Sequence, residues 1–318
     1  MELIKIACPL CGSQSGDFVF SASDNRLNTT KEKFKFVRCP GCAMVFINPQ
    51  PQESALHQFY PVNYHSPFSL GLESFYSPIV RKNLRTIVKD LKKIRKNGRV
   101  LDVGCGNGAL LNELVKGGFD AYGIDTYPGV REVVPAELKA RVKEANFYSS
   151  GYPDKEFDII ILKQALEHFS DQNRAIMAIS RLLKDTGIVY IEVPNFACSE
   201  SRLFKQFWYN LEAPRHLYQY TPRTLRYIFE QNGFKLRSQL PHKGVLNLKS
   251  PLAVFGSLNF FLENKMPGRR LLLKISESAF LLPSLMAAFF MRFLIDREGM
   301  DIRMIFEKNT PDKTVKRK

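Results

Sequence analysis

The stretch Val100–Leu111, which reads VLDVGCGNGALL, decides the fold of this chain. The apolar and β-branched residues of Arg99–Val103 predict a buried parallel strand, and Ala109–Val115 has the composition of a helix. The three glycines between these elements end the strand, because glycine allows a sharp turn at positive φ and a close approach of the backbone to a ligand. Strand, glycine turn and helix together predict the nucleotide-binding edge of an α/β sheet.

The spacing of this turn differs from the dinucleotide fingerprint Gly-x-Gly-x-x-Gly. Here an acidic residue is followed by Gly-x-Gly-x-Gly, which resembles the first motif of class I S-adenosylmethionine-dependent methyltransferases. The resemblance runs from about Arg99 to Phe234 and returns near the C-terminus. It implies an α/β fold with a Rossmann-like seven-stranded, mostly parallel sheet, helices on both faces and an antiparallel last strand. It also implies S-adenosylmethionine as the cofactor, in contact with Asp102, Gly104, Gly106 and Gly108.

Apolar runs predict the remaining elements of the sheet. The second to seventh strands are expected at Phe119–Ile124, Arg141–Glu144, Phe157–Leu162, Gly187–Val193, Phe234–Leu240 and Asp301–Glu307. Helices are expected over Ser77–Lys96, with an apolar stripe and a basic outer face, and over Asp171–Leu183. These elements follow the order that the resemblance implies.

Three further residues are expected at the cofactor. Asp125 follows the second strand, where an acidic side chain can accept hydrogen bonds from both ribose hydroxyls, and Gly123–Asp125 also resembles the family's second motif. The alternative for Asp125 is an incidental surface acid. Tyr148 lies just past the third strand, where relatives contact the adenine, although the usual acid is absent here. Gln164 lies at the carboxyl end of the fourth strand, the edge at which open α/β sheets bind ligands.

Two histidines are candidate catalytic bases. His216 lies in a Pro-Arg-His-Leu stretch that in a large bacterial methyltransferase group faces the acceptor, and imidazole can take up a proton near neutral pH. His168 lies in Leu-Glu-His after the fourth strand, a sequence similar to small-molecule methyltransferases, including those of quinone biosynthesis. A purely structural role remains the alternative for both side chains.

Four cysteines form two Cys-x-x-Cys pairs, Cys8 with Cys11 and Cys39 with Cys42. Two such pairs, each with a nearby glycine, predict a closed tetrahedral zinc site with no open coordination position, and therefore a structural zinc ion. The intervening Asp17–Val37 is expected to form a hairpin. Unligated thiols are the alternative, and disulfides are disfavoured in a reducing compartment.

The chain divides into five predicted regions. These are a zinc-ribbon-like module (1–48), a connector with an amphipathic helix (49–98), a methyltransferase domain (99–240 and 301–309), an apolar helical insertion before the last strand (241–300) and a basic tail (310–318). The longest uncharged run of the insertion, Ser278–Met291, has 14 residues, whereas a membrane crossing needs about 20. A helical cap over the acceptor pocket and a segment lying in a lipid interface both remain open.

The composition and the N-terminal sequence indicate the cellular location of the protein and the charge of its binding partners. The 318 residues carry a formal net charge of +15, which favours an anionic partner such as a phosphorylated substrate, anionic lipid or nucleic acid. No apolar signal segment opens the sequence, so we expect a cytoplasmic protein. Peripheral contact with the inner face of the membrane is compatible with this location.

Methyl transfer to oxygen or carbon of a small or glycosidic acceptor is the expected reaction. A nucleotide sugar or lipid-linked glycan is the first candidate acceptor, because four-cysteine modules before this domain resemble sugar methyltransferases. An RNA methyltransferase and a quinone-type lipid O-methyltransferase are the alternatives. RNA is disfavoured because Lys163–Leu166 lacks the Asn/Asp-Pro-Pro-aromatic turn that is typical of amine-methylating nucleic-acid enzymes. A non-catalytic scaffold is the remaining possibility.

Overall fold

The computed structural model describes residues 2–61, 73–241, 249–265 and 299–309. Its strands are β1 Leu3–Ile4, β2 Asp17–Ala22, β3 Phe34–Arg38, β4 Val45–Ile47, β5 Gln50–Pro51, β6 Arg99–Val103, β7 Asp120–Asp125, β8 Val142–Glu144, β9 Phe157–Lys163, β10 Leu183–Pro194, β11 Tyr218–Gln219, β12 Phe234–Gln239 and β13 Asp301–Lys308. Its helices are α1 Glu73–Ile94, α2 Ala109–Lys116, α3 Val130–Val133, α4 Gln172–Leu182, α5 Ser199–Phe204, α6 Pro222–Gln231 and α7 Lys249–Lys265.

A seven-stranded sheet of order β12-β13-β10-β9-β6-β7-β8 forms the centre of the fold. Neighbouring strands from β10 to β8 run parallel, whereas β13 is antiparallel to both β10 and β12. The predicted seven-stranded, mostly parallel sheet with an antiparallel last strand is therefore confirmed. The four apolar residues Ile159–Leu162 of β9 are fully buried, as expected for a parallel strand covered on both faces.

Helices cover both faces of this sheet in two apolar layers. Ile159 and Ile161 of β9 belong to the layer built with α1 and α2, and Ile160 and Leu162 belong to the layer built with α4 and α6. This division follows from the alternation of side chains along a strand. The outer face of α1 is exposed and basic, as predicted, and carries Arg81, Lys82, Arg85, Lys89 and Lys92.

The N-terminal region forms a second sheet of order β11-β4-β3-β2. Strands β2 and β3 make the predicted antiparallel hairpin. Strand β11, which lies inside the predicted methyltransferase domain, completes this sheet by pairing Tyr218 with Phe46 of β4. Phe46 and Tyr218 also belong to the same apolar core as Leu162 of the central sheet, so the N-terminal region packs continuously on the central fold.

A buried ion pair joins the same two regions. The guanidinium of Arg215 donates to both carboxylate oxygens of Asp24 at 2.8 Å, and to the carbonyl oxygen of Phe59 at 3.1 Å. Both side chains of the pair have no solvent exposure. Burial alone would raise the pKa of Asp24, but Arg215 and the Thr29 hydroxyl lower it to about 2. The pair is therefore ionised at neutral pH and bidentate, the favourable geometry for such a contact.

The apolar insertion is described in part. The predicted apolar stretch Pro251–Leu262 lies within α7. The second apolar stretch, Leu271–Ile295, and the tail 310–318 lie outside the described residues. Among the helices that the structure does describe, none is both long and apolar enough to cross a membrane.

Substitution of Asp24 by Asn tests the buried pair. The change removes the bidentate partner of the Arg215 guanidinium and leaves Glu212 as its acidic partner among the described residues, with a carboxylate oxygen 3.4 Å from its Nε, so we expect the free energy of unfolding to fall by about 3 kcal/mol. Denaturant unfolding monitored by fluorescence measures this loss. Asp185→Asn is the control, because Asp185 pairs with Lys155 on the exposed surface and should leave the unfolding midpoint almost unchanged. A midpoint for Asp24→Asn equal to that of the control would contradict the assigned role.

Candidate functional site

The glycine turn after β6 has the backbone geometry that its sequence predicts. Gly104, Gly106 and Gly108 all have positive φ, at 74°, 49° and 73°. The N–H of Gly104 donates to the carbonyl of Ile124 at 2.8 Å, which ties the turn to the end of β7. A Cβ on Gly104 would lie 2.9 Å from the Cβ of Ala165. Only glycine therefore fits between this turn and the segment that leaves β9.

Asp125 organises the turn from the end of β7. One carboxylate oxygen accepts the N–H of Gly106 at 2.9 Å, and the other accepts the N–H of Tyr127 at 2.9 Å. Each oxygen retains a second lone pair. The carboxylate can therefore hold the glycine loop and still accept a hydroxyl hydrogen from a ligand, which fits the predicted ribose contact.

Asp102 lies under the turn, and its carboxyl group is almost fully buried. Burial is the main reason that its pKa is raised to about 7; the charge of Asp125 raises it further, and Lys163 lowers it. A cationic ligand near the turn would favour the ionised form of Asp102. This charge balance fits a cofactor that carries a positive charge.

Gln164 and Tyr148 are held by other contacts. Gln164 has a positive φ of 53°, its N–H donates to Glu192, and its side-chain amide donates to Asp301 at 3.2 Å. The Tyr148 hydroxyl donates to the carbonyl of Asp171 at 3.2 Å, and the guanidinium of Arg174 lies over its ring. Their proposed contacts with the cofactor therefore remain predictions, whereas their contacts with the last strand and with the start of α4 are observed.

A second polar cluster lies where the chain leaves β9. The turn Leu166–His168 runs beside the segment 214–219, and the N–H of Leu217 donates to the carbonyl of Glu167 at 2.9 Å. The carbonyl of Leu217 in turn accepts the N–H of Ile47. These backbone contacts bring together His168 and His216, whose rings meet edge to face with centroids 4.5 Å apart. The two predicted bases are therefore neighbours.

His216 is buried and neutral. Its Nδ1–H donates to the carbonyl of Asn210 at 2.8 Å, so Nε2 is the unprotonated nitrogen. This Nε2 lies 3.9 Å from a carboxylate oxygen of Glu167 and 3.8 Å from one of Glu212. Burial is the main reason that its pKa is well below 6.5, and the neighbouring His168 and Arg215 lower it further. His216 can therefore accept a proton or a cation only through Nε2.

His168 is oriented by the N-terminal region. Its Nδ1 is hydrogen-bonded to the hydroxyl of Tyr60 at 2.9 Å. Tyr60 directly follows Phe59, whose carbonyl accepts from Arg215. The buried ion pair therefore also fixes the residue that orients this histidine.

Sequence reasoning missed Glu167. Its side chain is completely buried beside His216, and burial raises its pKa to about 8, although its own backbone N–H lowers it. The available signal was a glutamate directly before His168, just past the end of a buried strand. A buried carboxyl group with a raised pKa next to two histidines is the type of group found at functional sites.

The four cysteines of the N-terminal region lie together, with all four sulfur atoms within 4.8 Å of one another. Cys8 and Cys42, and likewise Cys11 and Cys39, are separated by 3.4 Å between sulfur atoms. Four thiolates bound to zinc at about 2.3 Å stand about 3.8 Å apart. Burial alone would raise the pKa of Cys39, but the N–H groups of Cys42 and Gly41 lower it to about 7. The donor set fits a tetrahedral zinc ion.

Comparison with known proteins agrees with this geometry. Residues 76–239, just over half of the chain, match a family described as a methyltransferase domain. A ubiquinone biosynthesis O-methyltransferase from Pelagibacter ubique is 32% identical over 131 residues, which cover 38% of this chain and 54% of that protein. An enzyme of the same name from Azorhizobium caulinodans is 23% identical over 201 residues, which cover 62% and 73%.

The chain spans about half the length of the first of these curated relatives. Among solved structures, a SAM-dependent methyltransferase from Archaeoglobus fulgidus is 18% identical with a TM-score of 0.46, and the match covers 72% of this chain and 94% of that chain. The family match includes the glycine turn, Asp125 and both histidines of the polar cluster. The chain belongs to the family of class I S-adenosylmethionine-dependent methyltransferases.

Proposed function

We propose that this protein transfers a methyl group from S-adenosylmethionine to a hydroxyl oxygen of a small acceptor. The observation that carries the proposal is the contact between Gly104 and Ala165. Ala165 directly precedes the turn that holds Glu167 and His168, so the glycine turn and the polar cluster share one edge of the sheet. Adjacent sites of this kind allow a donor and an acceptor to be aligned for direct transfer.

The cofactor supplies an electrophilic methyl group on a positively charged sulfur. The protein holds the nucleoside part with the glycine turn and the Asp125 carboxylate, and Asp102 contributes negative charge beneath the turn. On the acceptor side, Nε2 of His216 is the acceptor for the hydroxyl proton, with Glu167 and His168 beside it. This arrangement keeps the roles expected from the sequence and adds Glu167 to them.

The names of the relatives favour a quinone-type lipid as the first acceptor to test, because the similar curated enzymes are named for ubiquinone biosynthesis. A nucleotide sugar or lipid-linked glycan is the second candidate. It is favoured by the N-terminal region, which resembles that of sugar methyltransferases and contributes Tyr60 to the polar cluster. The proposal places the protein in the cytoplasm, with the basic face of α1 available for an anionic membrane surface.

Labelled S-adenosylmethionine incubated with a panel of acceptors tests this proposal. The panel contains polyprenyl catechols, nucleotide sugars, lipid-linked sugars and RNA. We expect label in a hydroxylated small molecule. Label in RNA, together with a gel shift that weakens with salt, would support the nucleic-acid alternative instead. If calorimetry shows no binding of S-adenosylmethionine, the protein is a non-catalytic scaffold and the proposal is wrong.

His216→Asn tests the proposed base, with the acceptor that the panel identifies as substrate. Asparagine keeps an N–H donor for the carbonyl of Asn210 but removes Nε2, so turnover should fall by roughly 10²-fold. The affinity for S-adenosylmethionine should stay unchanged, because the change leaves the glycine turn intact. Full turnover in this variant would show that His216 is not the base and has a structural role.

Asp125→Asn tests the cofactor site. The variant keeps the shape of the side chain but loses the charge that strengthens its hydrogen bonds. We expect S-adenosylmethionine to bind more weakly by about 1.5–3 kcal/mol, measured by calorimetry. Glu144→Gln is the control: Glu144 accepts the N–H of Gly129 one strand away, and its substitution should leave the affinity within about twofold. Equal affinities of the two variants for S-adenosylmethionine would show that Asp125 does not contribute to cofactor binding.

Zinc binding by the four cysteines is part of the proposal, and metal analysis tests it. The variant Cys39→Ser removes one of the four thiolates and should lower the bound zinc by about one ion per chain relative to the unmodified protein. Cys198→Ser should not change the zinc content, because Cys198 lies buried at the start of α5, outside the cluster. Equal zinc contents for both variants would show that the cysteines bind no zinc.

A further inference from the structure

Glu167, His168 and His216 form a compact set of metal-ligating groups. One carboxylate oxygen and one ring nitrogen from each histidine lie within 4.8 Å of one another. Within the described ranges, the four-cysteine cluster is the only other set of this kind. The two sets differ in chemistry, because one offers four sulfur atoms and the other offers two nitrogens and one oxygen.

The Glu167 carboxylate lacks the contacts that a buried acid normally has. Both of its oxygens are inaccessible to solvent, and neither has a hydrogen-bond partner among the residues that the structure describes. Buried polar atoms are nearly always hydrogen-bonded, and an orphaned one calls for an explanation. A bound cation would satisfy both oxygens.

The histidines are oriented as metal-binding histidines usually are. In such sites the second ring nitrogen donates to a carbonyl, carboxylate or other fixed acceptor, which sets the tautomer and the ring orientation. Nδ1 of His216 donates to the carbonyl of Asn210, so its lone pair is on Nε2, which lies 3.9 Å from a carboxylate oxygen of Glu167 and 3.8 Å from one of Glu212. Nδ1 of His168 is held by the Tyr60 hydroxyl. Both rings are therefore positioned before any ligand binds.

Side-chain cations near the cluster are engaged elsewhere. Arg215 is paired with Asp24, Arg26 is paired with Glu212, and Lys163 lies 3.5 Å from a carboxylate oxygen of Glu192. Glu167 forms an ion pair with none of these three side chains. None of these three side chains therefore binds the Glu167 carboxyl group directly, although Lys163 is close enough to act on it through its charge.

We propose that Glu167, His168 and His216 bind a first-row divalent transition-metal ion. Two imidazoles and one carboxylate are a donor set that such ions prefer. Ligands about 2.1 Å from a zinc-like ion stand about 3.4 Å apart. The observed 3.9 Å between Nε2 of His216 and Glu167 must therefore close by about half an ångström, and the other pairs, all within 4.8 Å, by at most about 1.4 Å. Three protein ligands leave a coordination position open. The ion would occupy the Nε2 lone pair of His216, so in the metal-bound form an acceptor hydroxyl at the open position would be ionised by the metal and release its proton to solvent instead of to His216. This use of the open position rests on the proposed function, whereas the binding of the ion does not.

Binding of Mn²⁺ to protein that retains one zinc ion per chain, after a chelator has removed more weakly bound metal, tests the proposal, because manganese prefers oxygen and nitrogen ligands to the thiolates of the cysteine cluster. Free Mn²⁺ is measured by electron paramagnetic resonance during a titration that contains neither S-adenosylmethionine nor acceptor. We expect about one Mn²⁺ per chain. Glu167→Gln and His216→Asn should each weaken binding at least 10-fold, while the zinc content stays constant.

Glu200→Gln is the matched control, since Glu200 is a buried glutamate that lies outside the cluster. It should bind Mn²⁺ like the unmodified protein. Affinity for S-adenosylmethionine confirms that each variant is folded. Absence of Mn²⁺ binding by the unmodified protein, or equal binding by all variants, overturns the metal site. Neither result bears on methyl transfer, which the acceptor panel tests independently.

Discussion

The buried pair between Arg215 and Asp24 is the interaction on which the proposed acceptor side of this protein depends. A guanidinium without solvent contact is stable only if its charge is compensated, and here Asp24 compensates it through two hydrogen bonds. The same guanidinium also binds the carbonyl of Phe59. The Arg215 side chain thereby fixes the loop of Asp24 and the carbonyl of Phe59. Because Phe59 precedes Tyr60 and Arg215 precedes His216, both of these polar side chains are held in place by the same contact.

The two halves of the site consequently have different origins. The proposed cofactor half is local: Asp102, the glycine turn and Asp125 come from two adjacent parallel strands and the loop between them. The proposed acceptor half is assembled from three segments that are distant in sequence and contribute Tyr60, Glu167 and His216. The N-terminal region is therefore more than an appended four-cysteine module, because it orients His168 and shares a core with the central sheet.

Sequence patterns predicted the central sheet well because parallel strands buried on both faces are uninterrupted apolar runs, as in Ile159–Leu162. Strand β6 has the predicted bounds, and β7, β8, β9 and β12 differ from their predictions by one or a few residues. The direction of individual polar side chains was less predictable. Gln164 has its side chain on Asp301, a residue of the last strand, and this contact depends on how β13 inserts between β10 and β12.

The sequence by itself determined the fold, the methyl-donor motif and the two cysteine pairs, because each depends on residues that are close together along the chain. Only the tertiary structure decided that β11 joins the N-terminal sheet and that Glu167 lies buried beside His216, whose ring contacts that of His168. Burial, orphaned oxygens and a shifted pKa are properties of packing between distant segments, and no local pattern encodes them. The glycine turn thus identifies the chemistry, whereas the long-range contacts around Arg215 determine where that chemistry is applied.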